Sequence, residues 1–479
     1  MQKFYITTPI YYVNDVPHIG HACTTVVADI IARYHKLKGE KVFFLTGTDE
    51  HGTKVAEEAQ KAGLSPKDFC DQVSQNFQGT WSKLNIEYDY FIRTTNPDHE
   101  KIVQEFIEKI YKNGDIYKEK YEGLYCVGCE KFVTETDLID GKCSLHPNKE
   151  IQKQSEENYF FKLSKYQNRL RKIIEKDEIK IIPETRKNET LSFIKSGLEN
   201  ICISRSVARA KGWGIPVPGN PSQIIWCWFD ALSNYINALG YAENSKKFQA
   251  WWTKNRNKLH IIGKGILRFH TVYFIGILLS ANLKLPKTIF VHGYLTSGRQ
   301  KMSKSLGNVI DPFELVKKYG TDAVRYFLLR EIPPTEDGDF TYEKFEARYN
   351  ADLANGLGNL VARVITLAKI SNFQFLKGGG WVGVQTIINK TRKDYKKALE
   401  EFKFNEALIS VWDLISFCDR YIEKERPWQE SKKQKEVISN LLFAISNIAE
   451  MLKPFLPETS EKIFKQLKTK KSQPLFPRI

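Results

Sequence analysis

An α/β fold built on a parallel sheet, interrupted by an inserted domain and followed by an all-helical region, is what the sequence predicts, and three observations predict it. Apolar runs at residues 42–45, 224–229, 259–262 and 288–291 each precede polar or glycine positions and then a helical pattern, the rhythm of a parallel sheet with ligands at its strand ends. Between residues 113 and 221 that rhythm stops, and cysteines and turn residues take over, closing on Ile215-Pro216-Val217-Pro218-Gly219. From residue 351 onward apolar positions return at helical spacing: Leu408, Val411, Trp412, Ile415 and Tyr421, then Val437, Leu441, Leu442, Ile445 and Ile448. The expected divisions are 1–113 and 222–320 for the two halves of the sheet domain and 114–221 for the insertion. A linking region is expected over 321–350 and a helical domain over 351–479, with Gly378-Gly379-Gly380 as a loop in it. A chain of 479 residues exceeds what one core serves, which agrees with several domains.

The first element is the strand-like run Phe4-Tyr5-Ile6-Thr7, followed by a loop and then His18-Ile19-Gly20-His21. Val27, Ile30, Ile31, Tyr34 and Leu37 recur at helical spacing after it, so this signature sits at a strand-to-helix junction. Backbone N–H groups at a helix start attract phosphate, and imidazoles there can donate to phosphoryl oxygens. Gly20 would let a nucleotide approach the backbone closely. Far downstream, Lys301-Met302-Ser303-Lys304-Ser305 carries two lysines three positions apart, between Gly298 and Gly307. Alone, the histidine pair reads equally well as a loop cap and the lysine run as a solvated loop. Both in this order, with strands between them, point to an ATP site whose cations stabilise charge developing on phosphoryl oxygens.

Within the insertion, Cys126-Val127-Gly128-Cys129 and Cys143-Ser144-Leu145-His146 form two knuckles. Paired thiolates with an imidazole suit a tetrahedral, closed, structural zinc site, one that staples a segment too small to hold itself by packing. Cys23, Cys70, Cys202, Cys227 and Cys418 show no pairing and read as small core residues. The clustering argues for a reducing compartment over a disulfide framework. Net charge is +16, from 72 Lys and Arg against 56 Asp and Glu, which favours a polyanionic partner, although the lysines are spread along the chain. The opening residues lack the apolar core of a signal peptide, and the longest apolar stretch, about residues 272–281, is too short to span a bilayer. A cytoplasmic protein without membrane association is expected.

The two signatures, HIGH and KMSKS, are those of the class I aminoacyl-tRNA synthetases. The chain resembles the methionyl branch of that family over essentially its whole length, on Thr8-Pro9-Ile10-Tyr11-Tyr12-Val13-Asn14-Asp15, Thr46-Gly47-Thr48-Asp49-Glu50-His51-Gly52, Trp228-Phe229-Asp230-Ala231-Leu232 and Leu267-Arg268-Phe269-His270. The resemblance implies a Rossmann-type catalytic domain split by a zinc-binding connective insertion and followed by an α-helical anticodon-binding domain. It implies activation of methionine by ATP and magnesium to methionyl-adenylate, then transfer to the terminal adenosine of initiator and elongator methionine tRNAs. By the same resemblance His18, His21, Lys301 and Lys304 are catalytic, and Gly20, Met302, Ser303 and Ser305 join them in binding ATP. Ile10, Tyr12, Trp228, Ala231, Leu232, Tyr235 and His270 line the methionine pocket, Asp49 holds the ammonium, and Asn359, Arg363 and Trp428 read the anticodon. In isolation Tyr12 and Trp228 read as core packing and Trp428 as a helix-junction contact, whereas Asp49, at a strand end beside Gly47 and Gly52, is better placed for function than for a core, with a helix cap as the alternative. An indole can nevertheless stack an unpaired base while Asn and Arg read its edge, and Asn359 and Arg363 at i,i+4 share a helix face.

Two departures stand out. Gly263-Lys264-Gly265 has glycine where the family usually has aspartate, and Phe274-Ile275 replaces a Trp-Pro pair. The competing readings are another class I synthetase, a catalytically silent RNA-binding paralogue and a small-molecule adenylyltransferase. The methionine-type pocket opposes the first, the intact lysine signature the second and the helical anticodon-type region the third. The chain stops soon after the helical region and lacks the extra domain that dimerises some relatives, so a monomer is expected.

Overall fold

Residues 4–8 of the strand Lys3–Tyr12 are all buried, as they must be in a parallel strand covered on both faces. It pairs in parallel with Lys41–Asp49 on one side, Tyr5 opposite Phe43 and Thr7 opposite Leu45. On the other side it pairs in parallel with Lys258–Gly263, Tyr5 opposite Lys258 and Thr7 opposite His260. The six-stranded sheet runs Tyr90–Arg93, Lys41–Asp49, Lys3–Tyr12, Lys258–Gly263, Thr288–His292, Lys180–Ile182. Chain order reverses at the first strand, and in such sheets a crevice opens outside the carboxyl ends at that switch point. Ile10, Tyr12 and Asp49 occupy those ends, and a register irregularity between Thr7 and Ile10 re-aims the end of the first strand.

The computed structural model describes residues 2–129, 131–302, 307–370 and 382–479. By internal contacts the chain forms two compact units, one of residues 1–16, 38–78 and 88–291 and the other of residues 17–37, 79–87 and 292–479. The first unit holds the six-stranded sheet and the inserted stretch. There the strands Ile116–Cys126 and Ile151–Phe161 form a long antiparallel pair, Ile116 opposite Phe161 and Cys126 opposite Ile151. Ile201–Cys202 and Lys131–Val133 flank it. Lys180–Ile182, also within the stretch, turns back to form an edge of the parallel sheet beside Thr288–His292.

One apolar run behaves differently from the expectation. Residues 224–229 do not join the parallel sheet: Asn220–Ile225 is the middle strand of a three-stranded antiparallel sheet, and the helix Cys227–Asn237 starts at once after it. Strand end and helix start pack into the same core, so hydrophobicity alone does not mark the change. Cys23, Cys70 and Cys418 are buried as expected, whereas Cys202 and Cys227 are only half-buried.

In the second unit the helix Ile19–Leu37 follows the histidine signature, and the helices Asn359–Ile370, Val382–Glu400, Phe404–Glu425, Gln434–Leu452 and Pro457–Thr469 build the C-terminal region. Leu408, Val411, Ile415, Val437, Leu441, Leu442, Ile445 and Ile448 are all buried, so the helical faces read from spacing are the packed ones. Trp412 is half-buried, its indole tilted against the Tyr326 ring at 4.5 Å and its Nε1 donating to the Asp352 carbonyl. The triglycine lies outside the described residues.

In this unit one ion pair has neither side chain exposed: Arg325 Nη2 lies 2.7 Å from Asp29 Oδ2. Arg325 also donates to the carbonyls of Leu84 (3.1 Å), Pro454 (2.9 Å) and Phe455 (2.8 Å), and Asp29 accepts in addition from Arg33 Nε and the Glu87 amide. One guanidinium thereby ties four segments of the unit. Removing one partner of such a pair leaves a buried, uncompensated charge. Arg325→Met is therefore expected to lower the unfolding free energy by about 3–5 kcal/mol, and the Asp29→Leu/Arg325→Met double variant to recover most of it. Denaturant unfolding checks this, and a single-variant loss under about 1 kcal/mol contradicts it.

Candidate active site

The amino-acid-binding candidates gather in the first unit, at the carboxyl end of its sheet. Trp228, Ala231, Leu232 and Tyr235 lie on the helix Cys227–Asn237, three or four residues apart along one face. Ala231, Leu232 and Tyr235 are buried, and Trp228 is half-buried. Trp228 stacks flat on Phe269, centroids 3.8 Å apart and planes within 4°. It meets the His270 ring edge-on at 6.5 Å. Tyr235 and His270 share a hydrogen bond of 2.7 Å between Oη and Nε2. His270 Nδ1 is 3.0 Å from the Ile266 carbonyl, which can only accept, so Nδ1 carries the proton and Nε2 accepts from Tyr235. Burial pushes the His270 pKa down to about 4, against a small opposing effect of that carbonyl, so the imidazole is neutral. The result is an apolar, aromatic wall with one fixed polar seam, the make-up of a small-ligand pocket.

Ile10 and Tyr12 are half-buried at the end of the first strand, and Asp49 is buried at the end of the second. Gly47 precedes Asp49 because the neighbouring strand comes too close for a side chain: a Cβ there would lie 2.1 Å from the Ile92 carbonyl oxygen. Of the departures, Gly265 is exposed in the turn Lys264–Ile266. Phe274 is fully buried against Tyr235 (5.3 Å), His260 and Trp252. The phenyl ring therefore belongs to the wall behind the pocket residues.

The partners of the residues beside Asp49 were not readable from the sequence. Glu50 accepts from Thr48 Oγ1 (2.6 Å), Arg93 Nε (2.7 Å) and Nη2 (2.9 Å), and Thr95. His51 Nδ1 lies 2.7 Å from Asp230 Oδ2, and His99 Nε2 lies 2.6 Å from Asp230 Oδ1. Burial alone would lower the His51 pKa, but the Asp230 carboxylate, and Glu100 behind it, outweigh that and raise it to about 10. Burial likewise pushes Asp230 up, and its two imidazoles overcome this and hold it below the usual carboxylate range. Glu50, His51 and Asp230 do fall inside the quoted motifs; nothing in the sequence ties His99 to them.

The phosphate candidates lie in the second unit. His18 Nδ1 accepts from the Gly20 amide at 3.1 Å, and His21 Nδ1 accepts from the His18 amide at 3.3 Å. Both Nε2 atoms therefore carry the proton, the donor form suited to an anion. The rings stack 3.7 Å apart. Burial and the neighbouring His18 hold the His21 pKa well below its usual value. A Cβ on Gly20 would stand 2.9 Å from the His18 ring and 3.8 Å from Met302 Cε, so the absence of a side chain permits this packing. Lys301 is exposed and pairs with Thr296 in a short antiparallel ladder. The Ile19 amide donates to the Ile310 carbonyl at 3.0 Å, joining the start of the signature helix to the segment after the lysine run. The structure thus brings Met302 to the histidine signature, while Ser303, Lys304 and Ser305 lie outside the described residues.

At the far end of the inserted hairpin the donor atoms of Cys126, Cys129, Cys143 and His146 all lie within 4.8 Å of one another. Cys129 Sγ is 3.4 Å from Cys143 Sγ and 3.2 Å from His146 Nδ1. A tetrahedron with metal–sulfur bonds of about 2.3 Å has edges near 3.8 Å, so the donor set fits zinc. Gly128 is required here, since a Cβ would lie 2.4–2.8 Å from His146 side-chain atoms.

The anticodon candidates occupy the helical region. Asn359 is exposed at the start of the helix Asn359–Ile370. Arg363, one turn on, is held by Glu423 Oε1 at 2.5 Å and by Asp419 Oδ1 at 3.8 Å. Trp428 is 50% exposed, two residues past the left-handed Arg426 that ends the helix Phe404–Glu425.

A parallel-sheet core, a paired histidine signature, a thiol cluster and a helical C-terminal region together are the make-up of a nucleotide-using enzyme. A family model described as tRNA synthetases class I (M) matches residues 4–146 and 129–365, and one described as the anticodon-binding domain of tRNA ligase matches residues 385–477. The methionine–tRNA ligase of Caldanaerobacter subterraneus subsp. tengcongensis is 45% identical over 97% of this chain and 74% of its own length. That of Thermotoga maritima is 44% identical over 97% and 75%. The solved structure of Mycobacterium tuberculosis methionyl-tRNA synthetase in complex with methionyl-adenylate superposes with a TM-score of 0.92 at 34% identity, covering 100% of both chains. The chain belongs to the class I tRNA synthetases, in the family of the (M) type.

Two buried histidines, His51 and His270, make opposite predictions for stability against pH. His51, raised from 6.5 to about 10, contributes stability that is complete below pH 6.5 and is lost as pH rises toward 10. His270, lowered from 6.5 to about 4, resists protonation, so it makes the fold less stable as pH falls from 6.5 toward 4. Histidine NMR should show His51 protonated and His270 neutral at pH 6.5; a half-titrated signal from either would contradict the assignment.

Proposed function

We propose that this protein is a methionine–tRNA ligase. It joins methionine and ATP to give methionyl-adenylate and pyrophosphate, then transfers the methionyl group to the terminal adenosine of a methionine tRNA with release of AMP. The observation that carries the reading is the full-length likeness to a structure that holds methionyl-adenylate. In the first step a methionine carboxylate oxygen attacks the α-phosphorus in line and pyrophosphate leaves. No protein nucleophile takes part, so the enzyme's contribution is positioning and charge stabilisation.

In this reading the thioether lies against the aromatic wall of Tyr12, Trp228 and Tyr235, with Ile10, Ala231, Leu232 and His270 completing the pocket. The soft sulfur packs well on ring faces, and a neutral His270 adds no charge that would oppose an uncharged side chain. Asp49 takes the ammonium, which would be costly to bury alone. The Nε2–H groups of His18 and His21 donate to phosphate oxygens, Gly20 allows close approach, and Lys301 and Lys304 balance charge moving onto pyrophosphate, with Met302, Ser303 and Ser305 in the same loop. Magnesium accompanies ATP and screens its phosphates. Zinc held by Cys126, Cys129, Cys143 and His146 supplies no reaction step; it closes the end of the hairpin as a structural ion. The proposed domain divisions remain those at residues 113, 221, 320 and 350.

For the tRNA, Asn359, Arg363 and the exposed Trp428 read the anticodon of initiator and elongator acceptors. The net charge of +16 supports a polyanionic partner. Among the described residues no helix is long and apolar enough to cross a membrane, and a role in translation suits the cytoplasm. We propose a monomer.

Two measurements test these assignments. Labelled methionine should pass to a methionine tRNA in the presence of ATP. Trp428→Ala should weaken that charging by about 1–3 kcal/mol through lost stacking while leaving adenylate formation intact; equal loss of both steps would refute the division of labour. Elemental analysis should find about one zinc per chain, and Cys143→Ser should lose it; a metal-free, folded, active protein would sink the metal assignment.

A further inference from the structure

Two of the motifs that supply pocket residues also supply the halves of a buried polar clamp with no direct part in the chemistry. His51 stands two residues beyond Asp49, and Asp230 stands two residues beyond Trp228 and one before Ala231. His51, His99 and Asp230 are 3%, 3% and 1% exposed, and come from three distant segments: the turn after Lys41–Asp49, the helix Pro97–Lys112 and the helix Cys227–Asn237.

We propose that His51 is a positioning residue which, through Asp230 and His99, locks the turn bearing Asp49 to the helix bearing Trp228, Ala231, Leu232 and Tyr235, so that the ammonium site and the side-chain pocket are held at one fixed spacing. This deepens the methionine reading of the site and rests on it.

Hydrogen bonds orient the side chains of the clamp. His99 Nδ1 accepts from Asn237 Nδ2 at 3.2 Å, which fixes the proton on its Nε2, the atom that donates to Asp230 Oδ1. Asn237 also donates to Ser233 Oγ at 2.8 Å, and Ser233 Oγ donates to the Asp230 backbone carbonyl at 2.7 Å, so Asn237 is itself tied to the helix that bears the aspartate. The other carboxylate oxygen, Asp230 Oδ2, accepts from His51 Nδ1, and His51 Nε2 lies 3.6 Å from Glu100 Oε1. The imidazole of His51 is thus an imidazolium between two carboxylates, while His99 donates to Asp230 from the neighbouring helix.

The turn is gripped from its other side as well. Glu50, with no exposed surface, is bound by Arg93, Thr48 and Thr95; its amide donates to Thr94 Oγ1 and its carbonyl accepts from Trp213 Nε1 at 2.6 Å. Gly52, at φ 117°, lets the chain leave the turn in a conformation other residues avoid. Residues 50 and 51 therefore anchor to the sheet side and the helix side respectively, and Asp49 is placed by both. Apolar packing would fill the same volume without the desolvation cost of buried charges, so a clamp of this kind contributes geometry more than stability. Geometry is what two-point recognition needs, because a small misplacement of one contact weakens the whole.

The test is methionine- and ATP-dependent pyrophosphate exchange on the full chain, with the active fraction measured separately by titration. His51→Leu should raise the methionine KM about tenfold or more with the ATP KM within about twofold. His51→Asn, whose amide can still donate to Asp230, should recover most of the loss. Adding His99→Leu to His51→Leu should cost less than the product of the single effects, since both act through Asp230. If His51→Leu does not fold, His51→Asn against His99→Leu supplies the same comparison. Methionine-dependent exchange by the unaltered protein, with methionine and ATP KM moving together or only the active fraction falling in the variants, would overturn this inference alone. Exchange that ignores methionine in the unaltered protein would instead overturn the functional reading beneath it.

Discussion

The parallel pairing of Lys3–Tyr12 with a strand on each side is the constraint on which the proposed methionine pocket depends. Because Lys41–Asp49 and Lys258–Gly263 flank it in parallel, all three carboxyl ends lie at the same edge of the sheet. Connections diverge there, and backbone leaves the surface open to a ligand. Ile10, Tyr12 and Asp49 reach that edge by virtue of the register alone. The irregularity between Thr7 and Ile10 and the bare backbone of Gly47 beside Ile92 are local adjustments to the same end. The aromatic wall of Trp228, Phe269, Tyr235 and His270 is then supplied by residues between 227 and 273, at either side of the strand Lys258–Gly263.

Buried charge is used in both units for placement. In the second unit Arg325 joins Asp29, on the helix that begins with the histidine signature, to carbonyls 454 and 455 of the C-terminal helical region. In the first unit Asp230 does the equivalent task for a turn and two helices. Each network satisfies several donors at once, which is the condition under which ionic groups can be held away from water. Imidazoles serve beside them: His270 is oriented by a carbonyl and His99 by an asparagine amide, so their hydrogen-bonding direction is determined.

Local patterns were legible in the sequence and non-local ones were not. The thiol cluster was readable because its knuckles are close in sequence and their spacing is itself the geometric requirement. The strands around residues 42–45, 259–262 and 288–291 and the buried faces of the C-terminal helices follow from apolar periodicity. The run at 224–229 misled because a strand end and a helix start can share one core. Lys180–Ile182 carries too few residues to declare its sheet. The clamp was beyond reach for a different reason: His99 and Asp230 are 131 positions apart, and Asp29 and Arg325 are 296 apart, separations over which residue spacing carries no signal. Arg363 could be named from resemblance, but its acidic partners Asp419 and Glu423 follow only from the packing of two helices.

The central claim is that the pocket selects methionine for activation by ATP. The most direct measurement is exchange of labelled pyrophosphate into ATP with each of the twenty amino acids offered singly. The account predicts exchange with methionine and background with the other nineteen; silence with all twenty, or preference for a different amino acid, would contradict it.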